Sequence, residues 1–253
     1  MANKKYLSQI CQELGYKKYS YFLIYKFLLT ELKLLKPKNK TAKDRNYYIK
    51  IENGIDVQQP FEEKYKFDFM DVFVDNLNTW TFFMNRYNLE NKTKSYLEIG
   101  CFEGMSSVFI LKKLKNAQCT FVDPFLPYEE MNDAAGISQF DRVYNNFIEN
   151  TSHHKERINI HRVTSDVFFE KNTNNFDLIY IDGSHYGEDV YKDSINSFKF
   201  LNVGGFIIFD DFFWIHFDGL NQNPIGGITR FLIENRKQIK IIYLSDQLFI
   251  QKL

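Results

Sequence analysis

Two short acidic segments, Asp182-Gly183-Ser184-His185 and Asp210-Asp211, each end a strongly apolar stretch of the sequence. These stretches predict strands over 176–183 and 204–211 that are buried on both faces. We expect the two strands to be neighbours in a parallel sheet, and ligands of such sheets lie beyond the carboxyl ends of the strands. The pattern therefore predicts that three carboxylates meet at one edge of the sheet.

Three carboxylates in one place repel each other unless something neutralises them. A divalent cation removes that repulsion, and ligands that are all oxygen favour Mg²⁺ or a similar hard ion. We therefore predict a metal site formed by Asp182, Asp210 and Asp211. The alternative is that one or two of them cap helices or pair with lysine or arginine.

A histidine, His185, lies three residues after Asp182. A neutral imidazole is a suitable general base at physiological pH, and it can take a proton from a substrate hydroxyl. The alternative is a structural histidine at the junction between a strand and a helix.

Short apolar segments alternate with helical segments from residue 95 onward, which indicates a parallel sheet with helices on both faces. The end of the chain differs, because the tight turn Ser245-Asp246-Gln247 can join its last two strands only as an antiparallel hairpin. The strands are predicted at 95–100, 119–125, 158–164, 176–183, 204–211 and 239–246, and the helices near 69–89, 105–115, 138–150, 187–201 and 227–236.

The first predicted strand ends in a glycine-containing segment, with Glu98 at its end and Gly100 and Gly104 after it. Glycines let the backbone turn tightly and approach a ligand closely. The spacing is G-x-x-x-G, which is not the G-x-G-x-x-G of dinucleotide binders. An ordinary turn from strand to helix is the alternative.

Two further aspartates follow the next two strands. Asp123 is placed to accept hydrogen bonds from ribose hydroxyls, or it is a helix N-cap or loop aspartate. Asp166 is placed to cap a short helix or to receive an adenine amino group, and one residue can serve both purposes.

The set Glu98-x-Gly100-x-x-x-Gly104, Asp123 and Asp166, with the terminal hairpin, resembles the class I S-adenosylmethionine-dependent methyltransferases over residues 70 to 253. The resemblance implies an α/β, doubly wound, mostly parallel seven-stranded, Rossmann-like sheet that ends in an antiparallel hairpin. It also implies that the methionine part of the cofactor lies over the glycine loop and its ribose on Asp123. The candidate cofactor contacts are Glu98, Gly100, Gly104, Ser106, Asp123, Asp166 and Asp182.

The segment IDGSH, followed by LNVGGFIIFDD, resembles the metal-dependent O-methyltransferases that act on sugar hydroxyls of macrolides. In that family the matching acidic residues hold Mg²⁺ and the histidine is the base, which implies these roles for Asp182, Asp210, Asp211 and His185. The family often has an aromatic residue where this chain has Gly187. The implied function is methyl transfer from S-adenosylmethionine to a hydroxyl of a small molecule, such as a sugar or a glycosylated metabolite.

The segment 212–227 is interpreted as a lid or a wall for the acceptor. Phe212, Phe213, Trp214 and His216 are its candidate substrate contacts, and His216 is a second-choice base. The alternative is that these aromatic residues belong to the core.

Residues 1–68 are predicted to form a helical N-terminal extension, and residues 69–253 the methyltransferase domain. The chain has 32 basic and 32 acidic residues, so its net charge gives no reason to expect a nucleic-acid partner. Charges interrupt the apolar run at 21–35, so we expect no transmembrane segment and treat the N-terminal helices as a candidate homo-oligomer contact. Three widely spaced cysteines indicate a reducing, cytoplasmic setting.

Two other functions are consistent with the same residues. One is a hydroxylase-like enzyme of the same fold, although iron oxygenases usually carry two histidines and one carboxylate. The other is a non-catalytic protein that binds S-adenosylmethionine.

Overall fold

The computed structural model describes residues 65–68, 73–127 and 137–253. The chain divides into two compact units, one of residues 37–164 and the other of residues 1–36 and 165–253. The predicted helices of the N-terminal extension and their homo-oligomer contact lie outside the described residues. The domain boundary expected after residue 68 therefore stays a prediction.

The described part of the unit 37–164 is built around three strands that pair in parallel. The strands are Ser95–Ile99 (β1), Gln118–Val122 (β2) and Ile158–His161 (β3). The α-helices are Leu77–Tyr87 (α1), Leu89–Lys92 (α2), Met105–Lys113 (α3) and Ile137–Thr151 (α4), and two 3₁₀ helices cover Phe73–Asn76 and Ser152–Arg157. Helix α1 buries Leu77, Trp80, Phe83 and Met84, which are apolar positions at the helical spacing seen in the sequence.

The described part of the other unit, 165–253, has four strands. These are Phe176–Ile181 (β4), Leu201–Phe209 (β5), Ile239–Leu244 (β6) and Leu248–Lys252 (β7). Strands β4 and β5 are parallel, and β7 pairs antiparallel with both β5 and β6. The α-helices are Ser165–Lys171 (α5), Gly187–Phe200 (α6) and Pro224–Asn235 (α7), with a 3₁₀ helix at Leu220–Gln222.

The strand order of the sheet is β3-β2-β1-β4-β5-β7-β6. This is the doubly wound order, since the chain builds outward from β1 in one direction and then returns to build in the other. The predicted fold class, a mostly parallel seven-stranded sheet ending in an antiparallel hairpin, is confirmed.

The centre of the sheet is apolar because its middle strands are covered on both faces. Leu178, Ile179, Ile207 and Ile208 of β4 and β5 are all 0% exposed. Burial on both faces explains why these strands read as continuous apolar runs rather than as alternating patterns. Among the described residues, no helix is long and apolar enough to cross a bilayer.

Candidate functional site

The acidic residues of the unit 165–253 lie at the carboxyl ends of β4 and β5. Ile181 and Phe209 are register partners at these ends, and the Asp210 N–H donates to the Ile181 carbonyl oxygen at 3.0 Å. Asp182 and Asp210 are the next residues on the two strands, so the parallel pairing brings their side chains to the same edge. The predicted convergence of carboxylates is therefore present.

A compact cluster of possible metal ligands forms at this edge. Asp182, His185 and Asp211 each offer one ligand atom, and these atoms all lie within 4.8 Å of one another. Nε2 of His185 is 2.9 Å from Oδ2 of Asp211, and both side chains are partly exposed. Two carboxylates and one imidazole at this spacing fit a divalent cation, since the carboxylate oxygens are the ligands that hard cations prefer.

Asp211 reaches this position through an uncommon backbone conformation. Its φ is 53°, in the left-handed region, which costs roughly 1–3 kcal/mol for a residue that is not glycine. The turn is held by the Phe212 N–H, which donates to the Asp246 carbonyl oxygen at 2.7 Å. The β6–β7 turn therefore supports the backbone conformation that brings Asp211 to His185.

Asp210, the third predicted metal ligand, has both carboxylate oxygens engaged. Its Oδ1 accepts the Asp211 N–H at 2.9 Å, and its Oδ2 accepts a hydrogen bond from the Tyr180 hydroxyl. Burial, and then the neighbouring Asp211 carboxylate, raise the pKa of Asp210 above its ordinary value. Asp210 therefore lies beneath the cluster of Asp182, His185 and Asp211, and its contact with a cation stays a prediction.

Tyr180, which the sequence did not single out, connects two of the acidic residues. Its hydroxyl is 2.9 Å from Oδ2 of Asp182 and also hydrogen-bonds Asp210. Burial and these two carboxylates raise the pKa of Tyr180 well above its ordinary value, so the hydroxyl keeps its proton. The only sequence signal was its position two residues before Asp182, which places both side chains on one face of the strand.

Aromatic rings stack beside the acidic cluster. Trp214 stacks on the His185 ring at a centroid distance of 4.4 Å and on His216 at 4.2 Å. Phe217 meets Trp214 edge-on at 5.5 Å and stacks on Tyr186 at 4.6 Å. The stack gives His185 a fixed ring plane and forms a partly exposed aromatic surface.

The candidate substrate contacts differ in their exposure. Phe212 is 1% exposed and packs against Phe213, so its assignment as a substrate contact is corrected: it belongs to the core. Its N–H donates to the Asp246 carbonyl oxygen, which ties the residue to the β6–β7 turn. Phe213 and Trp214 are partly exposed and His216 is exposed, and their contact with an acceptor stays a prediction.

The segment that carries these rings is pinned by Asn223, which the sequence analysis missed. Asn223 is 0% exposed, and its Oδ1 accepts the N–H groups of His216 and Phe217 at 2.8 and 3.0 Å. Its Nδ2 donates to the Phe217 and Gly219 carbonyl oxygens at 3.0 and 2.7 Å. The side-chain amide of one buried residue thus fixes the backbone of residues 216–219.

In the unit 37–164, the glycine loop after β1 is supported by a buried carboxylate. Glu98 is 0% exposed and accepts hydrogen bonds from the hydroxyls of Tyr96 at 2.9 Å, Ser107 at 3.0 Å and Ser106. Gly100 and Gly104 have φ of 82° and 85°, which explains why glycine is needed at both positions. Glu98 and Ser106 therefore hold the loop and α3 together, and their cofactor contacts stay predictions.

Asp123 organises the same loop. It is 2% exposed, and its Oδ2 accepts the N–H groups of Cys101 and Phe102 at 2.7 and 3.0 Å. Its Oδ1 accepts the Phe125 N–H at 2.6 Å. Burial raises the pKa of Asp123, and these three hydrogen bonds oppose that rise. A carboxylate offers about four acceptor positions, so one remains for the predicted ribose contact.

Two asparagines of α4 hold the loop from the other side. Nδ2 of Asn146 donates to Oε1 of Glu103 at 2.7 Å and to Oδ2 of Asp68 at 2.8 Å. Nδ2 of Asn150 donates to the Glu103 carbonyl oxygen at 2.9 Å. Glu103 is 0% exposed, and a carboxylate inside a glycine loop was the signal that could have identified it.

Asp166 lies within the first turn of α5 and is exposed. It is not the residue before the helix, so the interpretation as an N-cap is corrected: its charge is instead favourable at the positive end of the helix dipole. Its adenine contact stays a prediction.

Residues 97–212 match the model of a methyltransferase domain, a segment that contains both the glycine loop and the acidic cluster. A relative, uncharacterized protein R132 of Acanthamoeba polyphaga mimivirus, is 29% identical over 149 residues. The match covers 54% of this chain and 63% of the relative, so it spans less than two thirds of the relative's length.

Two solved structures resemble the chain. TomG, an O-methyltransferase from Streptomyces achromogenes involved in tomaymycin synthesis and solved with SAM, is 11% identical with a TM-score of 0.53, over 90% of this chain and 97% of TomG. MycE, a methyltransferase of the mycinamycin pathway solved with Mg, SAH and mycinamycin VI, is 15% identical with a TM-score of 0.50, over 78% of this chain and 53% of MycE. These likenesses show a shared fold. Residues 97–212 thus match a methyltransferase domain, and the chain shares the fold of these structures, with the mostly parallel seven-stranded sheet and terminal hairpin that its sequence predicted.

Proposed function

We propose that this protein is an S-adenosylmethionine-dependent O-methyltransferase that uses a divalent cation, Mg²⁺ or a similar ion, to methylate a hydroxyl of a small molecule. The observation that carries the proposal is the cluster of Asp182, His185 and Asp211 within a methyltransferase domain. The cluster offers cation ligands and a candidate base together, which are the two groups that activate a hydroxyl.

The cofactor part of the proposal rests on the glycine loop. S-adenosylmethionine supplies an electrophilic methyl group on a sulfonium. The positive φ of Gly100 and Gly104 forms the tight turn over which the cofactor would lie, and Glu98 and Ser106 hold that turn to the following helix. Asp123 would use its remaining acceptor position for a ribose hydroxyl, and Asp166, as the adenine contact, and Asp182 complete the predicted set.

The metal part rests on Asp182 and Asp211, with Asp210 as the third predicted carboxylate. A bound cation lowers the pKa of a hydroxyl that it contacts and orients it. Two carboxylates this close to each other favour a positive charge between them. Their positions at the ends of two paired strands make the spacing rigid.

His185 is the proposed general base. If its Nε2–H donates to Asp211, Nδ1 keeps a lone pair that accepts the hydroxyl proton. Asp211 then fixes the tautomer, and Trp214 fixes the ring plane through the 4.4 Å stack. The residue would act as an oriented base rather than as a structural histidine.

The acceptor class proposed is a small hydroxylated molecule, such as a sugar or a glycosylated metabolite. His216, the exposed end of the stack on Trp214, presents a flat ring on which a sugar or another ring can lie. The hydroxylase-like alternative is less well supported, because the cluster has one histidine and two carboxylates rather than the reverse.

Calorimetry tests the proposal. S-adenosylmethionine and S-adenosylhomocysteine are each titrated into the full chain, with Mg²⁺ or with EDTA. We expect both ligands to bind, and Mg²⁺ to bind in a separate titration. If neither cofactor binds, the whole proposal is contradicted. If a cofactor binds but Mg²⁺ does not, only the metal part of the proposal is contradicted.

A further inference from the structure

A tyrosine hydroxyl lies between two carboxylates beneath the acidic cluster. The ring of Tyr180 is 0% exposed in the middle of the sheet. Its hydroxyl is within hydrogen-bond distance of Oδ2 of Asp182 and of Oδ2 of Asp210. A phenylalanine would fill the same volume, so the packing of the core does not explain why a polar group is buried there.

The backbone holds one carboxylate oxygen of Asp210, and this fixes the other oxygen, which meets the Tyr180 hydroxyl. The Asp211 N–H donates to its Oδ1 at 2.9 Å, and its Oδ2 meets the Tyr180 hydroxyl. The contacts therefore run from the Asp211 backbone through Asp210 and Tyr180 to Asp182.

Asp182 is the member of the cluster that needs such support. It is the first residue after β4, so it lies just beyond the end of the strand. Two carboxylates near one another repel and tend to turn apart. The Tyr180 hydroxyl has one proton, which two acceptors can share, so a donor fixed between the carboxylates limits the turning of Asp182 and reduces the ordering that a cation would otherwise have to impose.

We propose that Tyr180 is a positioning residue of the metal site: its hydroxyl, which lies between Asp210 and Asp182, holds Asp182 in the orientation that binds a divalent cation. This inference rests on the proposed function, because it assigns Tyr180 to the cation site of that function. Tyr180 touches neither the cofactor nor the acceptor in this account.

The chain contains a matched control. Tyr96 of β1 is also 0% exposed and donates to Oε2 of Glu98, two residues further along the strand, at 2.9 Å. The pair repeats the spacing and the distance of Tyr180 and Asp182, but it belongs to the glycine loop rather than to the acidic cluster. Tyr96→Phe thus removes an equally buried hydroxyl without touching the cation ligands.

The experiment is a calorimetric titration of Mn²⁺ alone into the wild type, Tyr180→Phe and Tyr96→Phe, with folding checked by circular dichroism. We expect Tyr180→Phe to weaken Mn²⁺ binding by roughly tenfold to a hundredfold, the usual loss for a residue that orients a metal ligand. Tyr96→Phe should bind Mn²⁺ as the wild type does. A third variant with 4-aminophenylalanine at position 180 keeps the ring and a donor, and it should bind nearly as tightly as the wild type.

The outcomes separate this inference from the proposed function. If the wild type binds no Mn²⁺, the metal part of the proposed function fails. If the wild type binds and Tyr180→Phe binds equally well, the inference is overturned and the proposed function stands. If Tyr180→Phe does not fold, the 4-aminophenylalanine variant is decisive. This variant keeps a hydrogen-bond donor, so if it folds but no longer binds Mn²⁺, positioning by hydrogen bonding is contradicted.

Discussion

Nε2 of His185 lies 2.9 Å from Oδ2 of Asp211, although 26 residues separate them in the chain. The contact joins the segment after β4 to the segment after β5. It pairs the proposed base with a carboxylate that orients it and that also belongs to the cation cluster. Loss of either side chain should therefore affect the reaction more than the binding of cofactor.

His185→Ala should reduce turnover by about 10²–10⁴-fold, the usual contribution of a general base. The affinity for S-adenosylmethionine should stay close to that of the wild type, because the proposed cofactor contacts are on the glycine loop. Transfer of labelled methyl groups measures turnover, and calorimetry measures affinity. The control is His216→Ala, at the other end of the Trp214 stack. A larger loss in that variant would make His216 the base, and a loss of cofactor affinity in His185→Ala would contradict its assigned role.

Asp182→Asn should remove cation binding, because it takes away one of the two charges of the cluster. With the cation at a hundred times its dissociation constant, the wild type should gain about 2.7 kcal/mol of unfolding free energy, and the variant almost none. Thermal unfolding with and without Mg²⁺ measures this difference. Asp177→Asn is the matched control, since Asp177 lies on the same strand but hydrogen-bonds Asn202 at 2.8 Å. An equal Mg²⁺ effect in Asp182→Asn and the wild type would remove Asp182 from the site.

Gly104→Ala should destabilise the fold more than Gly204→Ala does. The two glycines have φ of 85° and 82°, so both variants carry the left-handed penalty of roughly 1–2 kcal/mol. A Cβ at Gly104 would lie 2.8 Å from Cδ2 of Phe147, whereas one at Gly204 meets nothing within 4 Å. Overpacking should add about 1–3 kcal/mol at Gly104 alone. Urea denaturation compares the unfolding free energies of the two variants. If both variants lose the same unfolding free energy, the loop moves to make room for the added methyl group at Gly104.

Asp193 should make stability depend on pH. Burial raises its pKa from the ordinary value to about 7, and the neighbouring Asp166 and Asp189 add to the rise. The folded state thus keeps a proton that the unfolded state loses above about pH 4, so stability should fall between pH 4 and 7 and then level off. The total loss is on the order of 4 kcal/mol, at about 1.4 kcal/mol per pH unit.

Asp193→Asn tests that dependence, because the amide stays neutral and still offers an oxygen to Ser165. Its unfolding free energy should match that of the wild type near pH 4 and exceed it at pH 8. Chemical denaturation across this range measures both. Parallel pH profiles for the two proteins would mean that Asp193 ionises in the folded protein as easily as it does in the unfolded chain.

The strands and their acidic ends were predictable because burial on both faces leaves a continuous apolar run that stops at a charge. The limits of the strands were less so. Strand β2 ends at Val122, not at residue 125, because Asp123 turns back to accept the loop N–H groups. Strand β5 begins at Leu201, before the glycines, because pairing with Phe176 extends it across a register shift.

Residues whose partners lie far along the chain could not be identified from the sequence. Tyr180 looked like another apolar strand position, since its partner Asp210 is 30 residues away. Phe212 could not be distinguished from Phe213 and Trp214, because its backbone partner Asp246 lies 34 residues further along the chain. Asn223 resembled any polar loop residue until its four backbone partners were brought together.

The central claim is tested most directly by transfer of a labelled methyl group from S-adenosylmethionine to a panel of sugars, phenols and glycolipids, run with Mg²⁺ and with EDTA. We predict that at least one hydroxylated acceptor becomes labelled with Mg²⁺, and that both EDTA and Asp182→Asn abolish the labelling. Labelling that persists unchanged under both treatments would contradict the account, because the acidic ends of β4 and β5 would then have no part in the reaction.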